Sequence, residues 1–170
     1  MLDLHGADTT FGAIFFAFLI FISILPLFFD LFKKEYNKTF FIFSLILLLS
    51  YSRIFFSLFP SIQPVTSSLI LIGAFFGKRY VFSFACLVTL ISNFYLGHGS
   101  WTLYQIIAWS CIGYIGSSLS KTILDKNNHP KIITFSIISF VSSLPFSFIV
   151  SLSALKYGVP QYFNYLQNGI

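Results

Sequence analysis

The sequence predicts an all-α membrane protein, a bundle of about six transmembrane helices of which one is short. Of its 170 residues, 56% are apolar and only 9% are charged, whereas soluble domains carry about 25% charged residues. The apolar residues form several runs, so a single signal peptide cannot account for them. So short a chain cannot hide all of them from water. We therefore expect a multi-pass protein of the cell membrane, in contact with the lipid bilayer.

Six apolar segments follow one another: 11–32, 39–59, 64–77, 79–96, 101–120 and 132–152. A helix needs about 20 residues to span a bilayer, with a lower limit of about 17. Five segments meet that limit. The segment 64–77 does not, so we expect it to be tilted under protein cover or to stop partway. Helices are favoured over a barrel because the runs show no polar alternation at period two.

Basic residues occur at every second joint between the segments. They are Lys33, Lys34 and Lys38, then Lys78 and Arg79, then Lys121, Lys126 and Lys131. The joints 60–63 and 97–100 contain none. Because cytoplasmic loops carry an excess of Lys and Arg, this alternation predicts that the N-terminus and both uncharged joints lie outside. Lys156 is a lone exception.

Several functional classes are disfavoured by what the chain lacks. The net charge is +5, but the ten Lys and Arg residues form no basic stripe, so nucleic acid is not an expected partner. Cys86 and Cys111 are isolated and are interpreted as buried apolar thiols. Because His5, His98 and His129 are scattered without metal-ligand spacing, we expect no metal, and we expect no cofactor. Paired acid–base groups are absent from the central segments, so an enzyme is not expected. No glycine loop for phosphate is followed by Lys and Ser or Thr, so any uphill transport must draw energy from a partner.

Arg53 is the most informative charge, since it lies six residues before Phe59 in an apolar segment. A charge at such depth usually faces the protein interior or water. Snorkelling is the alternative, because roughly 9 Å of depth is within reach of an Arg side chain. In the functional interpretation the guanidinium holds a carboxylate, phosphate or amide oxygen of a ligand.

A second group of candidates surrounds the joint 97–100. Trp101, Gln105 and Trp109 recur every four residues and share one helix face. An interfacial aromatic belt is the alternative for the tryptophans, and it suits Trp101 better than the deeper Trp109. Polar anchors between aromatic walls are typical of a small-molecule site. We therefore predict an outward pocket formed by Arg53, Gln63, Asn93, Trp101, Gln105 and Trp109. Elsewhere the small-residue pairs Gly73/Gly77 and Gly113/Ser117 predict close helix packing.

The stretch from Ser52 to about Ser120 resembles the substrate-binding (S) components of energy-coupling-factor (ECF) vitamin transporters, especially the cobalamin-type group. The run Ser92-Asn93-Phe94-Tyr95-Leu96-Gly97-His98-Gly99-Ser100-Trp101-Thr102 is its most specific part. The other matching residues are Arg53, Phe59-Pro60, Gln63-Pro64-Val65-Thr66, Gly73, Gly77, Gln105, Trp109, Gly113 and Gly116.

The resemblance implies a membrane-embedded binder for a vitamin, with cobalamin as the first candidate. It also implies an outward-facing site covered by loops 60–63 and 97–100. Such a binder docks on a membrane coupling protein and two ATPase subunits, whose ATP hydrolysis drives release inside. The competing hypothesis is a non-transporting structural or assembly protein of the membrane.

Two departures from the family pattern affect the domain description. The family's first helix often docks through an Ala-x-x-x-Ala pair, which 39–59 lacks and which Ala13 and Ala17 supply in 11–32. Residues 1–38 are therefore interpreted as an added helix with a basic inner loop, and 39–170 as the S-component-like bundle. The family also has a further helix after the segment that corresponds to 132–152. We expect that helix to begin near Tyr165, so it is either missing or replaced by the added one.

Overall fold

The computed structural model describes residues 9–57 and 64–168. Regular structure in these ranges is helical, without a β-strand, so the all-α prediction is confirmed. The helices are α1 (Thr9–Phe32), α2 (Tyr36–Phe56), α3 (Pro64–Phe76), α4 (Lys78–Leu96), α5 (Trp101–Ser118), α6 (Ser120–Ile123), α7 (Ile132–Ser151) and α8 (Val159–Asn168). A 3₁₀ helix, Leu152–Tyr157, joins the last two.

Four stretches are long and apolar enough to cross a membrane: Gly12–Phe32, Tyr36–Phe56, Lys78–Leu96 and Ile132–Leu155. They make the chain a multi-pass membrane protein. The helix α3 is apolar but has only 13 residues, which is roughly 20 Å of helix. The helix α5, in segment 101–120, has 18 residues, which is above the lower limit of about 17 for a spanning helix. It is nevertheless not among the candidate spans. Its polar side chains, such as Gln105, face the bundle interior.

The helix α4 is the centre of the bundle. In its apolar stretch 67% of the residues are buried, against 6% in Ile132–Leu155. It contacts α1, α2, α3 and α5. In contrast, α1 and α7 expose large apolar side chains such as Phe21 and Phe140. In a lipid environment, outer helices can expose apolar faces while polar side chains lie inside the bundle.

The tightest helix crossing joins α3 and α5. A methyl group added at Gly73 would lie 2.0 Å from the carbonyl oxygen of Gly113, and one at Gly116 would lie 2.3 Å from that of Ile70. The crossing therefore depends on small residues, and the packing prediction is confirmed for Gly73. It is wrong for Gly77, which precedes α4 with φ +75° and has open space beside it. The short helix α3 is covered by α2, α4, α5 and α7.

Two further expectations need correction. The helix expected near Tyr165 already begins at Val159, because Gly158, with φ +108°, ends the 3₁₀ helix and Pro160 suits a first helical turn. Cys111 is exposed rather than buried, whereas Cys86 is buried with its Sγ 3.7 Å from the Leu19 carbonyl oxygen.

Candidate functional site

Arg53 lies near the end of α2 and points into the bundle, where it is only 8% exposed. Its Nη1 donates a hydrogen bond to Asn93 Oδ1 at 2.5 Å and another to Ser92 Oγ. Both partners belong to the last turns of α4. The guanidinium therefore faces protein, and the snorkelling interpretation does not describe this conformation.

Asn93 is the centre of the network and is fully buried. While its oxygen accepts from Arg53, its Nδ2 donates to Thr102 Oγ1 at 3.1 Å and to Gln105 Oε1 at 3.0 Å. The side chain thus connects the end of α2 with the beginning of α5. A primary amide can do this because its oxygen accepts while its nitrogen donates twice.

Trp109 supplies the apolar wall of the network and is also fully buried. The guanidinium carbon of Arg53 lies 4.9 Å from the centre of the indole ring, within the range of a cation–π contact. On α7, Phe146 stacks on the indole with ring centres 5.1 Å apart. The indole nitrogen donates to Thr66 Oγ1 on α3 at 3.3 Å. With Ser92 and Asn93 of α4, five helices therefore converge on Trp109 and Arg53: α2, α3, α4, α5 and α7.

The turn between α4 and α5 fixes the position of this network. Gly97 has φ +93°, a conformation that side chains other than glycine rarely adopt. Thr102 Oγ1 accepts from the Gly99 backbone nitrogen at 3.2 Å, whereas Ser100 makes no side-chain cap. His98 lies against Phe16 of α1, with ring centres 5.4 Å apart. Burial there lowers the pKa of the His98 imidazole, so the neutral form is favoured.

The charge balance of the network is positive. The sequence contains five carboxylate side chains; Asp3 and Asp8 lie outside the described residues. Among the described residues Arg53 contacts neutral groups only, and no carboxylate forms an ion pair with it. Arg53 is thus a buried cation without a described counterion.

The structure brings together four of the six residues predicted for the site: Arg53, Asn93, Gln105 and Trp109. Trp101 is half-buried and covers Gly99, where an added methyl group would lie 2.3 Å from its ring. No hydrogen bond or ring contact of the described residues joins Trp101 to the network. Gln63 lies outside the described residues.

The sequence-based prediction missed four network members: Thr66, Ser92, Thr102 and Phe146. Three of them are small hydroxyl residues between Ser52 and Ser120, and their nearness to the predicted residues along the chain was a usable signal. Phe146 had no such signal, since it is one of 24 phenylalanines.

A second polar cluster lies at the opposite, basic end of the bundle, around Asp30 of α1. Asp30 is fully buried, and its Oδ1 lies 2.9 Å from Arg79 Nη2 as an ion pair without hydrogen-bond alignment. The hydroxyl of Tyr80 donates to Oδ2 at 2.5 Å, and Lys38 Nζ lies 3.9 Å from that oxygen. Helices α1, α2 and α4 are tied together here.

Neither cluster has the composition of a metal site. Groups of three or more His, Cys, Asp or Glu side chains close enough to hold a metal do not occur in the described ranges 9–57 and 64–168.

In comparisons with known proteins, the chain matches no family model, no curated protein and no solved structure.

Proposed function

We propose that this chain is a membrane-embedded binding subunit for uptake of a vitamin or related micronutrient, the S component of an ATP-driven ECF transporter. The observation that carries the proposal is the buried Arg53 guanidinium, whose described partners are all neutral. A cation buried at membrane depth is costly without a counterion. An anionic ligand group would supply that counterion.

The ligand would enter by replacing internal partners of Arg53. A carboxylate or phosphate accepts guanidinium hydrogen bonds better than a neutral amide does. Asn93 and Gln105 would then turn their amides to the ligand and fix its orientation, with Trp109 as the wall beneath it. Cobalamin is the first candidate, from the resemblance of Ser52 to Ser120 alone.

The test of binding is a thermal-shift panel of vitamins, beginning with cobalamin, on the purified full-length protein. A ligand that binds the folded state raises its stability. The variant Asn93→Ala should weaken the stabilisation by the active compound, while Asn128→Ala, at the opposite end of the bundle, should leave it unchanged. Equal affinity in these two folded variants would remove Asn93 from the site.

The energy for uptake would come from partners: a membrane coupling protein and two ATPase subunits. Ala13 and Ala17 lie exposed on α1, which supports a docking role for that helix, because close helix approach needs small residues. The double variant Ala13→Leu, Ala17→Leu should therefore block co-purification with such partners. Ser143→Leu, Ser147→Leu is the matched control, since this pair has the same spacing and is exposed on α7. Unchanged co-purification of the alanine variant would refute the docking role.

The proposed orientation has the N-terminus and loop 97–100 outside. Its support is the gathering of the basic joints at one end, where Arg79 meets Asp30 and Lys121 and Lys131 line a cavity with Ala74. Single cysteines at Ser100 and Asn128, in a background without Cys86 and Cys111, test it. Labelling of the Asn128 position from outside sealed cells would contradict this orientation.

A structural or assembly role is the second candidate, and one observation favours it. Every side-chain hydrogen bond of Arg53 and Asn93 among the described residues joins another side chain of the same network. A purely structural network needs no acceptor from outside the protein. That role predicts that no vitamin stabilises the protein and that Asn93→Ala lowers its stability without any ligand effect.

A further inference from the structure

A cavity of about 630 Å³ opens at the basic end of the bundle, far along the helices from Arg53. Three lysines line it, Lys121, Lys126 and Lys131, together with Ala74 at the end of α3 and Asp125. The three ammonium groups belong to exposed side chains and form no ion pair among the described residues. The cavity is therefore polar and positively charged.

The loop that presents these lysines is held in a defined shape. Asp125 Oδ1 accepts hydrogen bonds from the backbone nitrogens of Asn127 at 2.8 Å and His129 at 2.7 Å. The backbone of Asp125 donates to the His129 carbonyl at 2.9 Å, and Lys131 donates to that of Ile123 at 2.8 Å. The hydrogen bond from His129 is the main reason that the pKa of Asp125 is lowered. The carboxylate therefore organises the loop, and three lysines against one carboxylate leave the lining positive.

Exposed apolar side chains follow one of the cavity lysines, Lys131, directly along the chain. Ile132 and Ile133, in the first turn of α7, are 76% and 78% exposed, and they follow Lys131 without a break. The beginning of α7 is also the positive end of its helix dipole. A positively charged cavity whose lining includes Lys131, the residue before an exposed apolar helix, matches a molecule with a phosphate at one end and hydrocarbon at the other.

We propose that this cavity binds the phosphate headgroup of an anionic membrane lipid, with the acyl chains lying along α7. Clusters of lysine at the membrane surface attract anionic headgroups, and basic pockets between helices accommodate them. Inorganic phosphate shares the charge but makes no use of Ile132 and Ile133. The proposal does not depend on vitamin binding at Arg53.

The test uses the purified full-length protein in detergent micelles. Dioleoyl-phosphatidylglycerol is titrated in, and thermal stabilisation gives its apparent affinity; dioleoyl-phosphatidylcholine and inorganic phosphate are the parallel arms. The triple variant Lys121→Gln, Lys126→Gln, Lys131→Gln removes the cavity lysines. The control is Lys33→Gln, Lys34→Gln, Lys78→Gln, which removes three exposed lysines of the same end that do not line the cavity. A third variant replaces the cavity lysines by Arg.

We expect phosphatidylglycerol, and not phosphatidylcholine or inorganic phosphate, to stabilise the wild type. Each lysine near a membrane surface contributes roughly fivefold in affinity, so the cavity variant should lose at least about tenfold. The control lysines do not line the cavity, so the control should lose clearly less affinity than the cavity variant, and the Arg variant should keep the preference for phosphatidylglycerol. Equal losses in the cavity and control variants, or equal protection by inorganic phosphate, would overturn the proposal.

Discussion

Two buried charges lie at opposite ends of this bundle and are compensated in opposite ways. Asp30, with 0% exposure, lies within 4 Å of two cations and accepts a hydrogen bond from Tyr80. Arg53, with 8% exposure, has two neutral hydrogen-bond acceptors and an indole ring among the described residues. Each charge ties together helices that are distant in sequence, but only the first is paired.

The difference separates a structural charge from a candidate ligand-binding charge. A buried ion that is paired and hydrogen-bonded can remain buried, whereas an unpaired one carries a large desolvation cost. In the Asp30 cluster both carboxylate oxygens lie within ion-pair distance of a cation, so its charge needs no further partner. In the Arg53 network the described hydrogen bonds of the guanidinium come from Nη1 alone, and no described carboxylate pairs with its charge. That remaining charge is what the proposed ligand would neutralise.

The largest expected effect belongs to Arg53→Met, which removes the charge and keeps an apolar chain of similar length. Affinity for an anionic ligand should fall by about 2–5 kcal/mol, the usual cost of truncating one partner of a buried charge pair. Stability without ligand should change by no more than about 1 kcal/mol, since relief of the buried charge offsets the lost hydrogen bonds to Ser92 and Asn93. Ligand titration and thermal unfolding of the same preparations measure both. A large loss of stability with unchanged affinity would reverse the roles assigned to the two ends.

The corresponding change at the other end, Asp30→Asn, should act on stability instead. It leaves Arg79 and Lys38 without their shared counterion, and the loss should be about 3 kcal/mol, at the lower end for buried pairs because both cations are partly exposed. Glu35→Gln is the control, since its exposed ion pair with Lys38 should contribute less than about 1 kcal/mol. Ligand affinity should be unaffected in both variants. Equal unfolding midpoints for the Asp30→Asn and Glu35→Gln variants would show that the buried Asp30 cluster stabilises the fold no more than an exposed ion pair does.

Asn93→Asp would give Arg53 an ionic partner of the kind that Asp30 already has. Asn93→Asp places a carboxylate 2.5 Å from the Arg53 guanidinium and converts the network into an ion pair. The carboxylate loses the two Nδ2 donations, so the Thr102 hydroxyl and a reoriented Gln105 amide must donate to it instead. With these bonds replaced, we expect stability without ligand to rise by about 1 kcal/mol, because the hydrogen bond from Arg53 becomes charge-assisted on both sides. We expect ligand stabilisation to disappear, because the guanidinium is already neutralised. A variant that still responds to the ligand like the wild type would mean that Arg53 does not hold the anionic group.

The Arg53 network is easier to predict from the sequence than the Asp30 cluster, and the reason is physical. Apolar runs gave the six main helical segments to within a few residues, because length and hydropathy decide membrane helices. Three predicted site residues, Asn93, Gln105 and Trp109, lie within one α-hairpin, where local spacing determines which side chains meet. With Arg53, they form the network.

Pairings between distant helices could not be obtained in this way. Asp30 and Tyr80 are separated by 50 residues, and their contact depends on how α1 packs on α4. The stacking of Phe146 on Trp109 likewise depends on where α7 crosses α5. Periodicity identifies the face that a helix buries, but it does not identify the partner helix or the register of their contact.

The smallest expected effect distinguishes the two tryptophans. Trp109→Phe keeps an aromatic ring between Arg53 and Phe146 but removes the indole N–H that donates to Thr66 Oγ1 at 3.3 Å. It also weakens the contact with the guanidinium, because Trp is the best ring for a cation. Together these losses should lower ligand affinity by about 1 kcal/mol. Trp101→Phe should change it by less than about 0.5 kcal/mol, as expected for a change outside the network.

Phenylalanine is used in place of alanine because truncating the fully buried Trp109 would open a cavity and cost about 3–5 kcal/mol of stability. Isothermal titration on the folded variants measures the affinities. A larger loss for Trp101 than for Trp109 would move the aromatic wall of the site from the buried network to the loop 97–100.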